Sequence, residues 1–469
     1  MYIDPIRLAR QEICVDKWFS ANCDGILDIH PGVGKTFIAS LAIKRLEKEV
    51  KSTYVVVVPS SELEIQWKRK IIEFFPQYLI DRVVIKTMHT VISEGLNYDV
   101  ETLIIDEIHE FTTEERLKII DGTIIKFKRF LGLTGSGDDK NFKFITRHHK
   151  IIDYISGEEA IEKGYVSASI EYNLALDLTL VEKELYDNFT NTINKNLPKF
   201  ENNLTYAQFV LSGGKHSTGV YYSGAGWAWG LAVKKGWHKN LDLSRESDKT
   251  IDSMWNPNLF IGYAKNLINA IRGRKHLLCT ATAKYNTILE ILNRFNKIKT
   301  ILFSESTDFA DKIALILNKN NHPTVVYHSK LKTIMCTSSK SGKFIKMGKV
   351  RLKKEALDKI RDGRARVLSV TKSVDKGLDI PDLRMGITSS GTQGTTQYKQ
   401  RSGRPTRRED DPTYDLPVLL INLYIKDTQD EKWLVTRQEN NTHKVIDITQ
   451  VSQIDYTPPS NHEFNILDL

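Results

Sequence analysis

Cysteine is scarce in this chain, long apolar runs are missing and the charge is only mildly unbalanced. Cys14, Cys23, Cys279 and Cys336 are scattered, with no C-x-x-C pair. That argues against a zinc site and a disulfide framework, and fits a reducing, cytoplasmic setting. No run of about 18 uninterrupted apolar residues occurs, so no membrane span is expected. The opening Met1 to Pro5 has no basic region followed by an apolar one, so no secretory signal is expected. No nuclease-like cluster of carboxylates is visible. Lysine and arginine number 67 against 58 acidic residues, an excess that fits a polyanionic partner and equally fits simple solubility. The 469 residues, 41% of them hydrophobic, can fill sizeable cores and suggest two to four domains.

What is present is organised around Ile26 to Thr36. A short apolar run ends in a loop holding Gly32, Val33 and Gly34. The loop closes on Lys35 and Thr36, and Phe37 to Ile43 follows with helix-like composition. This is the strand, loop, helix order of a phosphate-binding loop. Glycines at 32 and 34 let backbone N–H groups close around phosphate oxygens, and the new helix points its positive end at the same anion. Lys35 would pair with the β- and γ-phosphates of ATP, and Thr36 would bind Mg²⁺. Position 29 carries Ile where the longer pattern has Gly, so the match is to the G-x-G-K-T core.

A helix is read over residues 5–20, with Ile6, Ala9, Ile13 and Lys17 marking one side. Thr53 to Val58 is a β-branched run of the kind buried on both faces of a sheet, closed by Pro59 and a Ser60 helix cap. Val83 to Thr87 and Thr102 to Ile105 are further strands. The latter runs into Asp106 and Glu107, a carboxylate pair at a strand's C-terminal end, beside the phosphate loop in a parallel sheet. Asp106 suits Mg²⁺, and Glu107 suits orienting and deprotonating the attacking water. With Phe130 to Gly137 as a fifth strand, the alternation implies a doubly wound parallel α/β sheet.

The order of these motifs resembles the superfamily 2 helicases and translocases. His30 to Thr36 looks like motif I, Val58 to Trp67 like motif Ia, Asp106 to His109 like motif II in its D-E-x-H form, and Leu133 to Ser136 like motif III. In the second half, Thr300 to Ser304 looks like motif IV, Val367 to Asp379 like motif V, and Gln397 to Arg407 like motif VI. The closest flavour is similar to the UvsW-like phage DNA branch-migration helicases and to the XPB-like group. The resemblance implies two RecA-like parallel-sheet lobes with an inserted, mostly helical middle region. It makes Gln11 the adenine-reading glutamine and adds Val33, Gly377, Asp379 and Arg401 to the nucleotide site. Gln400 would sense the γ-phosphate, and Arg404 and Arg407 would act as arginine fingers. Nucleic-acid contacts are implied at Pro59, Thr87, Ser304, His328 and Thr371.

The organisation read from this is lobe one over 1–148, a linker and insert over 149–296, lobe two over 297–440 and a tail over 441–469. Ile151 to Gly164 reads as helical, Ile170 to Leu176 as a strand, and Thr179 with Glu182 as a helix cap. Between 211 and 238, aromatics interleave with Gly and Lys. Trp227 and Trp229 there suit either stacking on unpaired bases or the core of a small subdomain. Lysines and arginines dominate from Lys330 to Lys354, a basic run read as a mobile loop that grips a duplex backbone or is simply solvated. Beyond about 450 little order is expected. The expected activity is an ATP-dependent, Mg²⁺-requiring DNA helicase or translocase, a monomer or weak oligomer acting on forked, branched or single-stranded DNA, with RNA the lesser candidate. A duplex translocase and a nucleotide-switched binding protein are the rival classes.

Overall fold

The computed structural model describes residues 4–49, 52–94, 100–135, 142–238, 240–337, 344–371, 380, 382–391, 417–439 and 445–457. The apolar runs form strands: β1 (Asp24–Ile29), β2 (Tyr54–Val58), β3 (Val83–Thr87), β4 (Thr102–Ile105), β5 (Arg129–Thr134) and β6 (Ile151–Ile155). They pair in parallel in the order β3-β2-β4-β5-β1-β6. β2 and β4 are buried along their whole length, as strands covered on both faces must be. Alternate residues feed two cores: Leu27, Val56 and Leu133 line one, and Ile26, Val55 and Leu103 the other. Three helices matter most to the site: α1 (Pro5–Ser20), α2 (Lys35–Glu49) and α3 (Ser61–Phe74).

β7 (Ser169–Leu176) then enters a different sheet. A separate compact unit, Asp177–Asn286, follows, carrying a short hairpin of β8 (Gly214–Lys215) and β9 (Tyr221–Tyr222). The chain continues through β10 (Thr300–Phe303), β11 (Thr324–Tyr327), a hairpin of β12 (Ile334–Thr337) and β13 (Phe344–Met347), β14 (Val367–Val370), β15 (Met385–Thr388), β16 (Val418–Ile425) and β17 (Val445–Ile448). Six of these join β7 in a second, seven-stranded parallel sheet ordered β11-β14-β10-β15-β16-β7-β17. The two RecA-like α/β lobes are thus present. Among the described residues no helix is long and apolar enough to cross a membrane.

The placement of β7 has a polar cause. Asn422 on β16 donates to Glu171 Oε1 at 2.6 Å, and Asn173 Nδ2 donates to Asp447 on β17 at 3.0 Å. Gln438 Nε2 bridges Glu171 and Asn173, both at 3.0 Å. Glu171, Asn173 and Asn422 are buried, so a one-residue slip would strand these groups unpaired.

Four expectations change. On α1 the buried side is Arg10, Gln11, Cys14, Val15 and Trp18, while Ile6 and Ile13 are exposed. Arg10 goes inward because it meets buried Asp153 at 2.6 Å, a pairing no hydrophobic pattern signals. Ile151 to Ile155 is the edge strand β6, not helix; it keeps Asp153 buried and Tyr154 exposed, which blurs both periodicities. The basic run forms β12, β13 and the start of the helix Lys349–Arg361, and its centre, residues 338–343, lies outside the described residues. Past residue 450, Val451, Ile454 and Tyr456 are buried.

In the unit Asp177–Asn286, Thr179 and Glu182 form the expected capping box on the helix Leu180–Asn196. A Cβ at Gly273 would sit 2.6 Å from the Phe189 ring, so glycine there lets the helix Pro257–Thr280 approach Leu180–Asn196 closely. Trp227 is a core residue, packed with Phe200, Val210, Leu231 and Phe260, and its Nε1 donates to Gly214 O at 3.0 Å. Its ring is committed to that core. Trp229, two positions on, is 44% exposed, with its ring perpendicular to that of Trp237. Trp227→Ala is therefore expected to destabilise this unit by about 3–5 kcal/mol, and Trp229→Ala by less than about 1 kcal/mol, as read from urea unfolding.

Candidate active site

β5 lies between β1 and β4, so the loop after β1 and the carboxylates after β4 flank the end of one strand. Strand spacing puts those two ends about 10 Å apart, two steps of 4.8 Å. Lys35, the first residue of α2, spans the gap: its Nζ lies 3.3 Å from Glu107 Oε1. It passes over bare backbone at Gly135. A Cβ there would lie 3.1 Å from Lys35 Nζ and 2.8 Å from Ile29 O.

The loop itself turns on two left-handed glycines, Gly32 at φ +100° and Gly34 at φ +104°. Between them Val33 is fully buried, and its carbonyl accepts from Gln11 Nε2 at 2.6 Å. A Cβ on Gly34 would meet that same nitrogen at 2.6 Å. Gln11 thus braces the loop from α1. Thr36 follows Lys35 in the first turn of α2.

Asp106 is buried and both its oxygens are hydrogen-bonded: Oδ2 accepts from Trp67 Nε1 at 2.8 Å and Oδ1 from its neighbour's amide, Glu107 N, at 3.0 Å. Burial first, and then the charge of Glu107, push the Asp106 carboxyl above the usual carboxylate range, while Lys35 and the Trp67 N–H pull it back. Glu107 holds a left-handed backbone, φ 49°, uncommon for a residue with a side chain, which turns the chain sharply after β4. His109 Nδ1 lies 3.0 Å from Thr134 Oγ1 at the end of β5 and 3.5 Å from Glu107 Oε2.

These residues fit a magnesium nucleotide. Among the described residues no cluster of three or more His, Cys, Asp or Glu side chains could hold a metal. Mg²⁺ needs no such cage, because phosphates and water supply most of its ligands beside one or two carboxylates. Asp106 and Thr36 would hold it, where it would neutralise phosphate charge.

Trp67 is the residue sequence reasoning passed over as a site group. In the sequence it closes the motif Ia-like stretch, and nothing in that spacing points to Asp106. The expected nucleic-acid residues lie at C-terminal strand ends: Pro59 after β2, Thr87 closing β3, Ser304 after β10, His328 after β11 and Thr371 after β14. Their side chains are mostly inward. Pro59, Ser304, His328 and Thr371 are buried, and the Thr87 hydroxyl accepts from Thr90 N. His328 uses both nitrogens: Nδ1 accepts from Lys330 N at 3.1 Å, so Nε2 donates to Asp311 at 2.9 Å. Gly377, Asp379, Gln400, Arg401, Arg404 and Arg407 lie outside the described residues.

Trp67→Phe keeps an aromatic ring and deletes the N–H. The Mg²⁺ concentration for half-maximal ATP hydrolysis is expected to rise by about tenfold, since hydrogen bonds to charged groups are worth about 1.5–3 kcal/mol. The loss of that donor leaves Asp106 easier to protonate, so the rise grows as pH falls. A Mg²⁺ titration at several pH values reads both effects.

Comparison with known proteins agrees with this geometry. Residues 8–137 match the family model described as type III restriction enzyme, res subunit, and residues 283–409 match the helicase conserved C-terminal domain. The DNA 3'-5' translocase XPB2 of Sulfurisphaera tokodaii is 22% identical over 430 residues, covering 88% of this chain and 81% of the relative. The Pyrococcus furiosus Hef helicase domain superposes with a TM-score of 0.51 at 17% identity, covering 91% of this chain and 97% of that one. S. cerevisiae Dbp5 bound to RNA and ADP BeF3 gives 0.56 at 12% identity, covering 94% and 89%. With a family match on each lobe, in this order, and with Lys35, Asp106 and Glu107 gathered at one sheet end, the chain belongs to the superfamily 2 helicases and translocases and hydrolyses ATP.

Proposed function

We propose that this chain is an ATP-driven DNA helicase or translocase that remodels forked or branched DNA. The observation that carries the DNA reading is the likeness to a named DNA translocase along 88% of the chain. The likeness of the motif set to branch-migration helicases supports the forked or branched substrate. RNA is the second reading, supported by the likeness of the fold to an RNA-bound structure.

In this reading Lys35 takes the β- and γ-phosphates, and the amides between Gly32 and Lys35 cradle them. Glu107 orients and deprotonates the attacking water, with His109 close enough to fix its carboxylate. The motif VI likeness assigns Gln400, Arg404 and Arg407 to the γ-phosphate, where arginine contacts are worth about 10³–10⁵ in rate. Closure on ATP and opening after hydrolysis alternate the grip of the two strand rims on the DNA backbone. Each opened base-pair step needs about 1.4 kcal/mol, and branch migration needs less because each broken pair is replaced.

The test is ATP hydrolysis by the pure chain alone and with single-stranded DNA, forked DNA, a four-way junction or duplex RNA. The expected outcome is strong stimulation by forks or junctions. Glu107→Gln should cut turnover by about 10² or more while leaving ATP binding, as loss of a general base does. Stimulation by RNA alone would move the protein to the RNA class, and no stimulation by any DNA would overturn the reading.

A further inference from the structure

The unit Asp177–Asn286 contains a feature that the ATP site does not use. β8 and β9 pair as an antiparallel hairpin, with Gly214 opposite Tyr222 and Lys215 opposite Tyr221. The tip is closed by His216 N donating to Val220 O at 2.7 Å and Gly219 N donating to His216 O at 2.8 Å. Every residue from 215 to 223 is exposed, including Val220 at 51%, Tyr221 at 62% and Tyr222 at 45%. Single exposed apolar side chains need no explanation, but three in succession on a projecting tip form a patch that asks for a partner.

The stem is firmly seated. Gly214 is buried, its carbonyl takes the Trp227 N–H, and a Cβ there would collide with the Phe209 ring at 2.1 Å. The Tyr222 ring lies perpendicular to those of Trp227 and His216, 6.3 and 6.2 Å away, and Tyr221 donates to Ser212 O at 3.3 Å. The hairpin is therefore anchored on the core of this unit while its rings stand in solvent.

Charge identifies the partner. From Asn202 to Leu241 there is no aspartate or glutamate, and the stretch carries Lys215, Lys234, Lys235 and Lys239. Lys234 is engaged by Glu201 and Lys235 lies over Trp255, whereas Lys215 sits on the hairpin beside the tyrosines. A protein partner would need no such bias, but a polyanion favours it. Paired bases show their edges in the grooves and hide their faces, so two tyrosine faces suit unpaired bases.

We propose that the β8–β9 hairpin is a single-stranded DNA site in which Tyr221 and Tyr222 stack on unpaired bases and Lys215 holds a phosphate. It extends the DNA reading above and rests on it. The hairpin takes over the stacking role that Trp227, buried beneath it, cannot perform.

The test measures anisotropy of fluorescent oligothymidylate and of a blunt duplex with the full chain. Tyr221→Ala with Tyr222→Ala is expected to weaken oligothymidylate binding by about 10- to 100-fold, from about 1–3 kcal/mol per stacked base, with duplex binding unchanged. Tyr221→Phe with Tyr222→Phe keeps both ring faces and should bind within about twofold of the parent. ATP hydrolysis without nucleic acid should not change in either variant. Tyr221→Ala alone, at the more exposed ring, repeats the measurement with less risk to Trp227 packing and should still weaken binding several-fold. Unaltered oligothymidylate binding by both alanine variants would overturn the hairpin site and leave the DNA reading standing. An equal loss in the phenylalanine pair would also overturn it. Failure of the parent chain to bind either DNA would sink both.

Discussion

The nucleotide site depends on one spatial constraint: Lys35 must cross the end of β5 to reach Glu107. The crossing is open because Gly135 has no side chain, and it is short because parallel strands hold β1 and β4 a fixed two spacings apart. Everything else at the site supports that span. Gln11 holds the loop that launches Lys35, and the left-handed turn at Glu107 brings its carboxylate to the far end. A cation and a base 3.3 Å apart can meet the same phosphate and its attacking water, which is the arrangement hydrolysis needs.

α3 is tied to both ends of this machinery. Its Ser60 cap follows Pro59 at the end of β2, Trp67 reaches the buried Asp106 carboxylate, and Glu62 in its first turn pairs with Lys353 of the second lobe at 3.2 Å. Lys353 also lies 4.7 Å over the Tyr327 ring at the end of β11. Burial opposes ionisation of Glu62, but its own backbone N–H and Lys353 outweigh that and hold it below its ordinary value. One helix thus links the end of β2, the buried Asp106 carboxylate and Lys353 of the second lobe.

Much of this was legible in sequence where local physics decides. Fully buried parallel strands such as Tyr54–Val58 announce themselves by β-branched runs, and a loop that must bend around phosphate announces itself by Gly32 and Gly34. Legibility failed where distant partners decide. Arg10 looks like surface until Asp153 is known, and β6 loses its alternation because that same aspartate is buried. Trp67 reads as ordinary helix filling, since its acceptor is 39 residues away. Ser304 and His328 stand just past strand ends, as the strand pattern predicts, yet the sequence carries no sign that both turn inward to bond their own loops.

The position of β7 bears on how the protein is made. The first sheet is complete once Ile155 has left the ribosome, but β7, only a few residues later, must wait for β16 and β17. Asn173 meets Asn422 across a separation of 249 residues. At about 5–20 residues per second that is a delay of roughly 12–50 s, during which the amino-terminal lobe can fold while β7 has neither neighbour. A strand exposed for so long invites pairing with other chains, and alternating Glu171 and Asn173 along it makes it a poor match for the apolar edges it would meet. The polar pair that later fixes its register therefore also guards the nascent chain against the wrong sheet.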